Sequence, residues 1–449
     1  MGPKIVQFHE VVKNKDLVSR DASFLWHPYT QHRSSDDPLC VASAKGAYLY
    51  DGEGKAYLDM ISSWWVNIHG HGRTELAAAI SRQVLNLDHV HFAGVTHEPA
   101  VALAEKLVKL SGLGDGTRLF YSDNGSTAVE VALKICHQYW RNRGQHRPRI
   151  MTFRGGYHGD TLGAMTVGES SGFFDAFRSW MFEVDNLEVP HTWRGASVRD
   201  EESACIRAFK EKLGNISGDV AALIVEPLIQ GAAGMRFHSP KFLSEICRLA
   251  RSAGIPVVFD EVMTGFFRTG TLFAYMQTDV LPDLVCLSKG ITGGILPLGA
   301  TLVKGEYFSA FLGDSFSEAL AHGHSFTGNP ITCAAALASL DLLEKGGAAS
   351  VVGRISSQLA DGIEKLERRF PIEKTRVLGG IGAFELKGKS GDYAAGGGRP
   401  LARYCQDHGV LLRPLGNVVY MMPPYCVLPE DLELAFAVLE DYFSGHGIS

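Results

Sequence analysis

The chain has 449 residues, 45% of them hydrophobic and 20% charged, with 43 Lys and Arg against 49 Asp and Glu for a formal net charge of −6. That apolar share excludes a disordered chain, and the acidic balance supplies no basic field for nucleic acid. No apolar run approaches the roughly 18–20 residues of a membrane span, and at roughly 100–200 residues per domain the length implies two or three domains.

The chain opens with MGPKIVQFHEVVKNKD, which lacks the apolar stretch of a secretory leader and carries acids foreign to a transit peptide. Eight cysteines are scattered without a C-x-x-C pair, so neither a zinc knuckle nor a disulfide framework is expected. A reduced, cytoplasmic protein is the expectation. Residues 46–59, GAYLYDGEGKAYLD, alternate apolar and polar positions about a glycine turn, which predicts a β-hairpin. Pro99 suits the first turn of a helix running toward Leu110. Short apolar runs follow at 118–122, 150–153, 221–225, 256–260 and 284–288, separated by helical patterns such as 126–143 and 240–253. Buried strands alternating with helices predict an α/β fold: a large domain with a mostly parallel sheet and helices on both faces.

Near Leu343–Ala348 a long helix runs into glycines, as a helix end at a domain boundary would. Beyond it, strand patterns at 382–386 and 418–422 flank a helical pattern at 401–408, and AAGGGRP at 394–400 reads as a loop. The expected division is 1–62 as the N-terminal part of a small α+β domain, 63–345 as the large domain, and 346–449 as the rest of the small one.

Several short motifs fail on spacing. Gly388-Lys389-Ser390 ends like a phosphate loop, but counting back to Gly382 leaves five intervening residues where that motif requires four. Ser122-Asp123-Asn124 has no S-x-x-K ahead of it. The histidine pairs at 69/71, 89/91 and 322/324 lack the i, i+4 spacing of a helical zinc site, and no metal is expected.

The informative stretch is IPVVFDEVMTGFFRTG at 255–270. Its apolar strand ends at Asp260, and the next apolar run ends just before Lys289. In open α/β sheets the working groups sit beyond the carboxyl ends of strands. Singly, Asp260 reads as an N-cap and Lys289 as a surface charge. Together they match a specific chemistry. A lysine that forms a Schiff base needs a desolvated setting, and a pyridoxal phosphate ring needs a carboxylate to keep its nitrogen protonated. FYSDNGSTAVE at 120–130 runs from a strand through Gly125 and Ser126 into a helix, and exposed amides at a helix start make an anion site. Tyr157, in FRGGYHGDTLGAM, offers an aromatic face or is a core tyrosine, with His158 a structural histidine beside it.

These segments, with VEPLIQGAAGM, LSKGITGG and HGHSFTGNP, resemble in order and spacing the class III, ω-type pyridoxal-phosphate aminotransferases over most of residues 24–425. The resemblance implies a fold-type-I architecture and a homodimer whose sites lie at the subunit interface, with small-molecule substrates and neither nucleic acid nor membrane as partner. It implies that Lys289 is the Schiff-base lysine, Asp260 the partner of the pyridine nitrogen, and Tyr157 the residue over the ring. Gly125 and Ser126 match the phosphate-binding turn, Glu226 the acid near the cofactor, and Ser325, beside His324, the hydroxyl that a neighbouring subunit supplies.

FLWHPYTQH, MISSWWVNIHGHG and LLRPLGNVVYMMPPY resemble more narrowly the branch that aminates 7-keto-8-aminopelargonate in biotin synthesis, usually from S-adenosylmethionine. That implies a substrate site of Tyr29, Trp64, Trp65 and Gly323, Arg413 on a substrate carboxylate, and Arg268 at the donor. On a strand, Trp64 and Trp65 would face opposite ways, so one of them is expected at the ligand. His324-Ser325 stands where the best-matched form has Pro-Thr, which leaves lysine open as an alternative donor. An ω-amine:pyruvate transaminase and a non-catalytic ligand-binding relative are the other readings.

Overall fold

The computed structural model of the chain describes residues 14–168, 172–389 and 396–445. Most of the N-terminal stretch read for targeting, Ser390, and the first two residues of the 394–400 loop lie outside the described residues. A seven-stranded sheet forms the centre, in the order Arg118–Ser122, Gly299–Val303, Leu284–Leu287, Val257–Asp260, Val220–Val225, Arg149–Phe153, Val184–Leu187. Gly299–Val303 runs antiparallel to both its neighbours, and every other pairing is parallel.

The strands alternate between two cores. Met151, Phe153, Leu223, Val225, Val257, Phe259, Val285 and Leu287 belong to one, and Ile150, Ala222, Ile224, Val258, Leu284 and Cys286 to the other. Burial on both faces is why these strands read as continuous apolar runs rather than alternating ones. Helix Gly125–Asn142 contributes Ala128, Val131, Ala132 and Ile135 to the second core. Helices Glu98–Ser111, Pro240–Ser252 and Pro330–Lys345 cover the first. Their starts follow from local chemistry. Asn124 closes a capping box with Thr127 ahead of Gly125–Asn142, and the Ser239 side chain accepts the Phe242 amide with Pro240 in the first turn.

Within this sheet two strands go beyond the sequence expectation, Val184–Leu187 at one edge and the antiparallel Gly299–Val303. Outside the main sheet, the predicted hairpin forms as Tyr48–Asp51 and Ala56–Asp59. Val410–Leu411 pairs parallel with Ala56–Asp59, so distant parts of the chain share one four-stranded sheet. Ile372–Leu378, Ile381–Leu386 and Val418–Met421 make a three-stranded antiparallel sheet. No described helix is long and apolar enough to cross a membrane.

The turn between Ile372–Leu378 and Ile381–Leu386 locks onto the main body. Gly380 N donates to Arg268 O at 2.9 Å. Gly379 has φ +57°, and a Cβ there would lie 2.3 Å from the Thr269 carbonyl carbon. Left-handed strain and backbone overpacking add, so Gly379→Ala should cost about 2–5 kcal/mol. Urea unfolding checks it, and an unchanged midpoint would mean that the close approach is not maintained.

Candidate active site

Register places the first two functional groups. Val257–Asp260 pairs in parallel with Leu284–Leu287 so that Asp260 lies beside Cys286, three residues before Lys289. Lys289 itself takes φ +48°, unusual for a side chain of its size. The Ser288 hydroxyl ties the strand end to Leu298 O at 2.7 Å.

Lys289 and Asp260 open into a cavity of about 640 Å³ that also includes Asn124, Gly125, Ser126, Tyr157, His158, Asp160, Thr161, Glu226, Val262 and Trp65. Asp260 is buried; its Oδ2 accepts from His158 Nδ1 at 2.7 Å and its Oδ1 from the Val262 amide at 3.0 Å. Burial alone would lower the His158 pKa, but the hydrogen bond and charge of Asp260 outweigh it and raise it. His158 Nε2 is buried without a partner among the described residues. Glu226 accepts the amides of Tyr157 and Gly231, each at 3.0 Å, yet burial pushes its pKa up to about 7. Burial draws Lys289 down to about 8, against the attraction of Asp260 and Glu226. Its Nζ stands 4.8 Å from the Trp65 ring centroid.

The helix start at Gly125 is closely fitted. A Cβ on Gly125 would fall 2.6 Å from a Val262 methyl, and one on Gly159 2.3 Å from Ser126 Oγ. Ser126 Oγ lies 2.6 Å from Thr161 Oγ1 and accepts the Thr161 amide at 3.0 Å.

A second cavity of about 440 Å³ shares Trp65, Tyr157, Asp160 and Lys289 with the first, and adds Tyr29, Trp64, Phe173, Ala232, Arg413 and Leu415. Asp160 Oδ1 accepts from Tyr29 at 2.6 Å and from Tyr157 at 3.2 Å. Tyr157 stacks on Phe174 with 6.2 Å between centroids, and burial lifts its phenol to about 12. Arg413 lies 4.3 Å over the Trp64 ring.

Two expectations need correction. Trp64 and Trp65 are not on a strand: Ser62, Ser63, Trp64 and Trp65 have φ of 49°, 46°, 68° and 74°, a left-handed turn. Both indoles therefore border the second cavity, with Trp65 buried and Trp64 exposed. Arg268 lines neither cavity. It is fully buried, and its guanidinium donates to the carbonyls of Pro423, Asn67 and Trp65 at 3.0, 3.2 and 3.4 Å, which leaves it behind Trp65.

Gly323, His324 and Ser325 lie on a loop away from both cavities of the same chain, Gly323 and Ser325 exposed. Gly125, Ser126, Tyr157, Glu226, Asp260 and Lys289 come together, and so do Tyr29, Trp64, Trp65 and Arg413. Sequence reasoning missed Asp160, Thr161, Val262 and Phe173, and took His158 for a structural histidine. Its link to Asp260 spans 102 residues and leaves no local signal.

Residues 29–443 match the family model for class III aminotransferases. The chain is 46% identical to the adenosylmethionine-8-amino-7-oxononanoate aminotransferase of Synechococcus elongatus, over 93% of this chain and 97% of that one. It is 40% identical to the enzyme of the same name from Mycobacterium leprae, over 94% and 95%. The solved structure of such an enzyme from Methanocaldococcus jannaschii superposes with a TM-score of 0.87 at 31% identity, covering 95% of this chain and 99% of that one. A PLP-bound amine transaminase from an uncultivated Pseudomonas species gives 0.88 at 33%, covering 94% and 99%.

The buried amine has a measurable consequence. Lys289 holds a proton less tightly folded, at about 8, than unfolded, near 10.5. The unfolded chain therefore binds more protons between those values, and stability rises with pH there. The penalty is fully present below pH 8 and lifts as pH approaches 10.5, by something on the order of 3 kcal/mol. In cofactor-free protein, the stability of wild type relative to Lys289→Ala should climb by that much across the window. A flat difference would mean that water reaches the amine.

Proposed function

We propose, from the premise that the chain belongs to the class III aminotransferase family, that it transfers an amino group from S-adenosylmethionine to 8-amino-7-oxononanoate. That keto acid, 7-keto-8-aminopelargonate, becomes 7,8-diaminopelargonate in biotin synthesis. The reading is carried by 46% identity across nearly the whole of both chains to a relative named for that reaction.

The enzyme is a pyridoxal-phosphate-dependent aminotransferase. When bound, that cofactor supplies an electron-withdrawing ring and carries the amino group between the two substrates. The residues present fit it. The amides opening helix Gly125–Asn142, with the Ser126 hydroxyl, suit a phosphate, and the close approach of Val262 explains why glycine stands at 125. Asp260, held by His158 and the Val262 amide, suits a protonated ring nitrogen. Glu226 fixes the Tyr157 backbone and so sets that ring over the cavity. Lys289 is the covalent anchor. With its pKa drawn down to about 8, its Nζ can take a proton from the substrate carbon and return it near neutral pH.

On the substrate side, Tyr29, Trp64 and Trp65 give aromatic walls for an alkyl chain, and Arg413 gives a planar cation for a carboxylate. Arg268 acts through Trp65 and Asn67, as a positioning residue. We assign Gly323, His324 and Ser325 to the site of a partner subunit in a homodimer, with Ser325 on the phosphate. Large apolar side chains left open on one chain, such as Trp26 at 91% and Phe326 at 62% exposure, are what such a partner would cover. Divisions at residues 62 and 345 belong to the same reading, supported by the pairing of Val410–Leu411 with Ala56–Asp59. So does a cytoplasmic setting, in keeping with eight free cysteines.

Donor identity is the first test. In stopped-flow mixing, S-adenosylmethionine should discharge the cofactor's yellow colour faster than lysine, and 8-amino-7-oxononanoate should restore it. Lysine winning would move the donor assignment and put the cause at His324. Assembly is the second. Lys289→Ala and Ser325→Ala chains, each impaired alone, should regain activity when mixed, because only the heterodimer holds one intact site. A fully active monomer would defeat the shared-site assignment.

A further inference from the structure

A third cavity, of about 210 Å³, lies between the Ile229–Gln230/Arg236–Phe237 hairpin and the three-stranded sheet, and Ala232 and Leu415 border both it and the substrate-side cavity. Its walls carry Arg236, Lys374, His191 and Glu385. Buried Arg376 stands behind them.

Three cations there face one carboxylate. Lys374 Nζ lies 2.9 Å from Glu385, and the Arg376 guanidinium 3.6 Å from it. Arg376 is otherwise spent on the carbonyls of Gly234, Met235 and Lys374. Arg236 makes no ion pair or side-chain hydrogen bond among the described residues, and its Nε is buried and unpartnered. His191 Nε2 is likewise buried and unpartnered. Burial, then the charges of Arg376, Arg236 and Lys374, drive the His191 pKa down to about 3, so the imidazole is neutral, and Nε2 can donate in the tautomer that carries the proton there.

The pocket thus offers the unpaired guanidinium of Arg236, and His191 Nε2 in that tautomer, beside a net positive charge. Buried polar groups are almost always paired, and a guanidinium with a neutral imidazole donor is a natural set for an oxyanion. At about 210 Å³ the space is several times the roughly 30 Å³ share of one water, enough for an ion of a few heavy atoms and too small for a nucleoside.

We infer that this pocket is a small-oxyanion site, which takes a carboxylate or inorganic phosphate on Arg236 and His191, separate from the site of amino transfer. The inference stands whether or not the donor and acceptor proposed above are right, because its readout is binding rather than turnover.

The test is calorimetric titration of the holoenzyme, whose own phosphate site is filled, with inorganic phosphate and separately with malonate, at constant ionic strength. Wild type should bind one ion per chain and melt higher as that ion is added. Arg236→Gln should weaken binding at least tenfold and abolish the rise in melting temperature. It should melt no lower than wild type in ion-free buffer, since it removes an unpaired cation. Lys374→Gln, on another wall, should weaken binding in the same direction, which covers the case in which Arg236→Gln does not fold. Binding of malonate alone that Arg236→Gln removes would mark the site as one for carboxylates, and of phosphate alone as one for phosphate. No saturable binding of either ion to wild type, or affinity in both variants equal to that of wild type, overturns the inference.

Discussion

The parallel pairing of Val257–Asp260 with Leu284–Leu287 is the constraint on which the site depends. Strands buried on both faces leave only their ends for polar work, so the groups at those ends must be partly desolvated. Asp260 meets this by handing both oxygens to neighbours, His158 and the Val262 amide. Lys289 has no such partner among the described residues and instead rests against the Trp65 face. Had the two paired directly, the carboxylate would hold the amine protonated. As it is, burial outweighs the Coulomb attraction of Asp260 and Glu226 at Lys289, and its pKa falls.

The Ser62–Trp65 turn answers a different demand. Left-handed backbone costs roughly 1–2 kcal/mol per residue for non-glycine side chains, and four residues in a row adopt it. The compensation is visible in the contacts. Ser62 Oγ donates to Met422 O at 2.7 Å, Asp59 accepts both the amide and the hydroxyl of Ser63, and Trp65 Nε1 donates to the Tyr420 hydroxyl at 2.9 Å. Arg268 completes the frame from behind. Strain held by surrounding contacts is common where a side chain must be aimed. Here the result is that one indole sits under the lysine while its neighbour carries Arg413.

What was legible in the sequence follows from these physical causes. Four strands, Arg149–Phe153, Val220–Val225, Val257–Asp260 and Leu284–Leu287, announced themselves because burial on both faces makes each a continuous apolar run. Val184–Leu187 did not, since its Asp185 is polar but buried, held by Arg149 and Lys212. The antiparallel direction of Gly299–Val303 is set by how the chain returns after Lys289, which no periodicity encodes. Asp260, Lys289 and the Gly125 turn were legible because each sits at a strand or helix end. The His158 link to Asp260, the fan of phenols on Asp160 and the burial of Arg268 depend on contacts distant in sequence. The tryptophan turn was misread for a further reason: its backbone runs against the local preference of every residue in it.

The geometry also bears on how two unlike substrates could use one cavity in turn. An aromatic wall attracts a sulfonium through its ring quadrupole, but the Trp64 face is already taken by the Arg413 guanidinium. A second cation approaching that face would meet a like charge in a half-buried setting. A donor that carries both a carboxylate and a sulfonium resolves the conflict, because its carboxylate can draw the guanidinium into a bidentate pair and neutralise it. The keto acid needs only the second half of this arrangement, a carboxylate on Arg413 and an alkyl chain along the indole. On the proposed reading, Arg413 is thus the common element for both substrates. Asp160, the acid that bridges Tyr29 and Tyr157, is the one carboxylate on the substrate-side wall among the described residues, against which a cationic portion of either can settle.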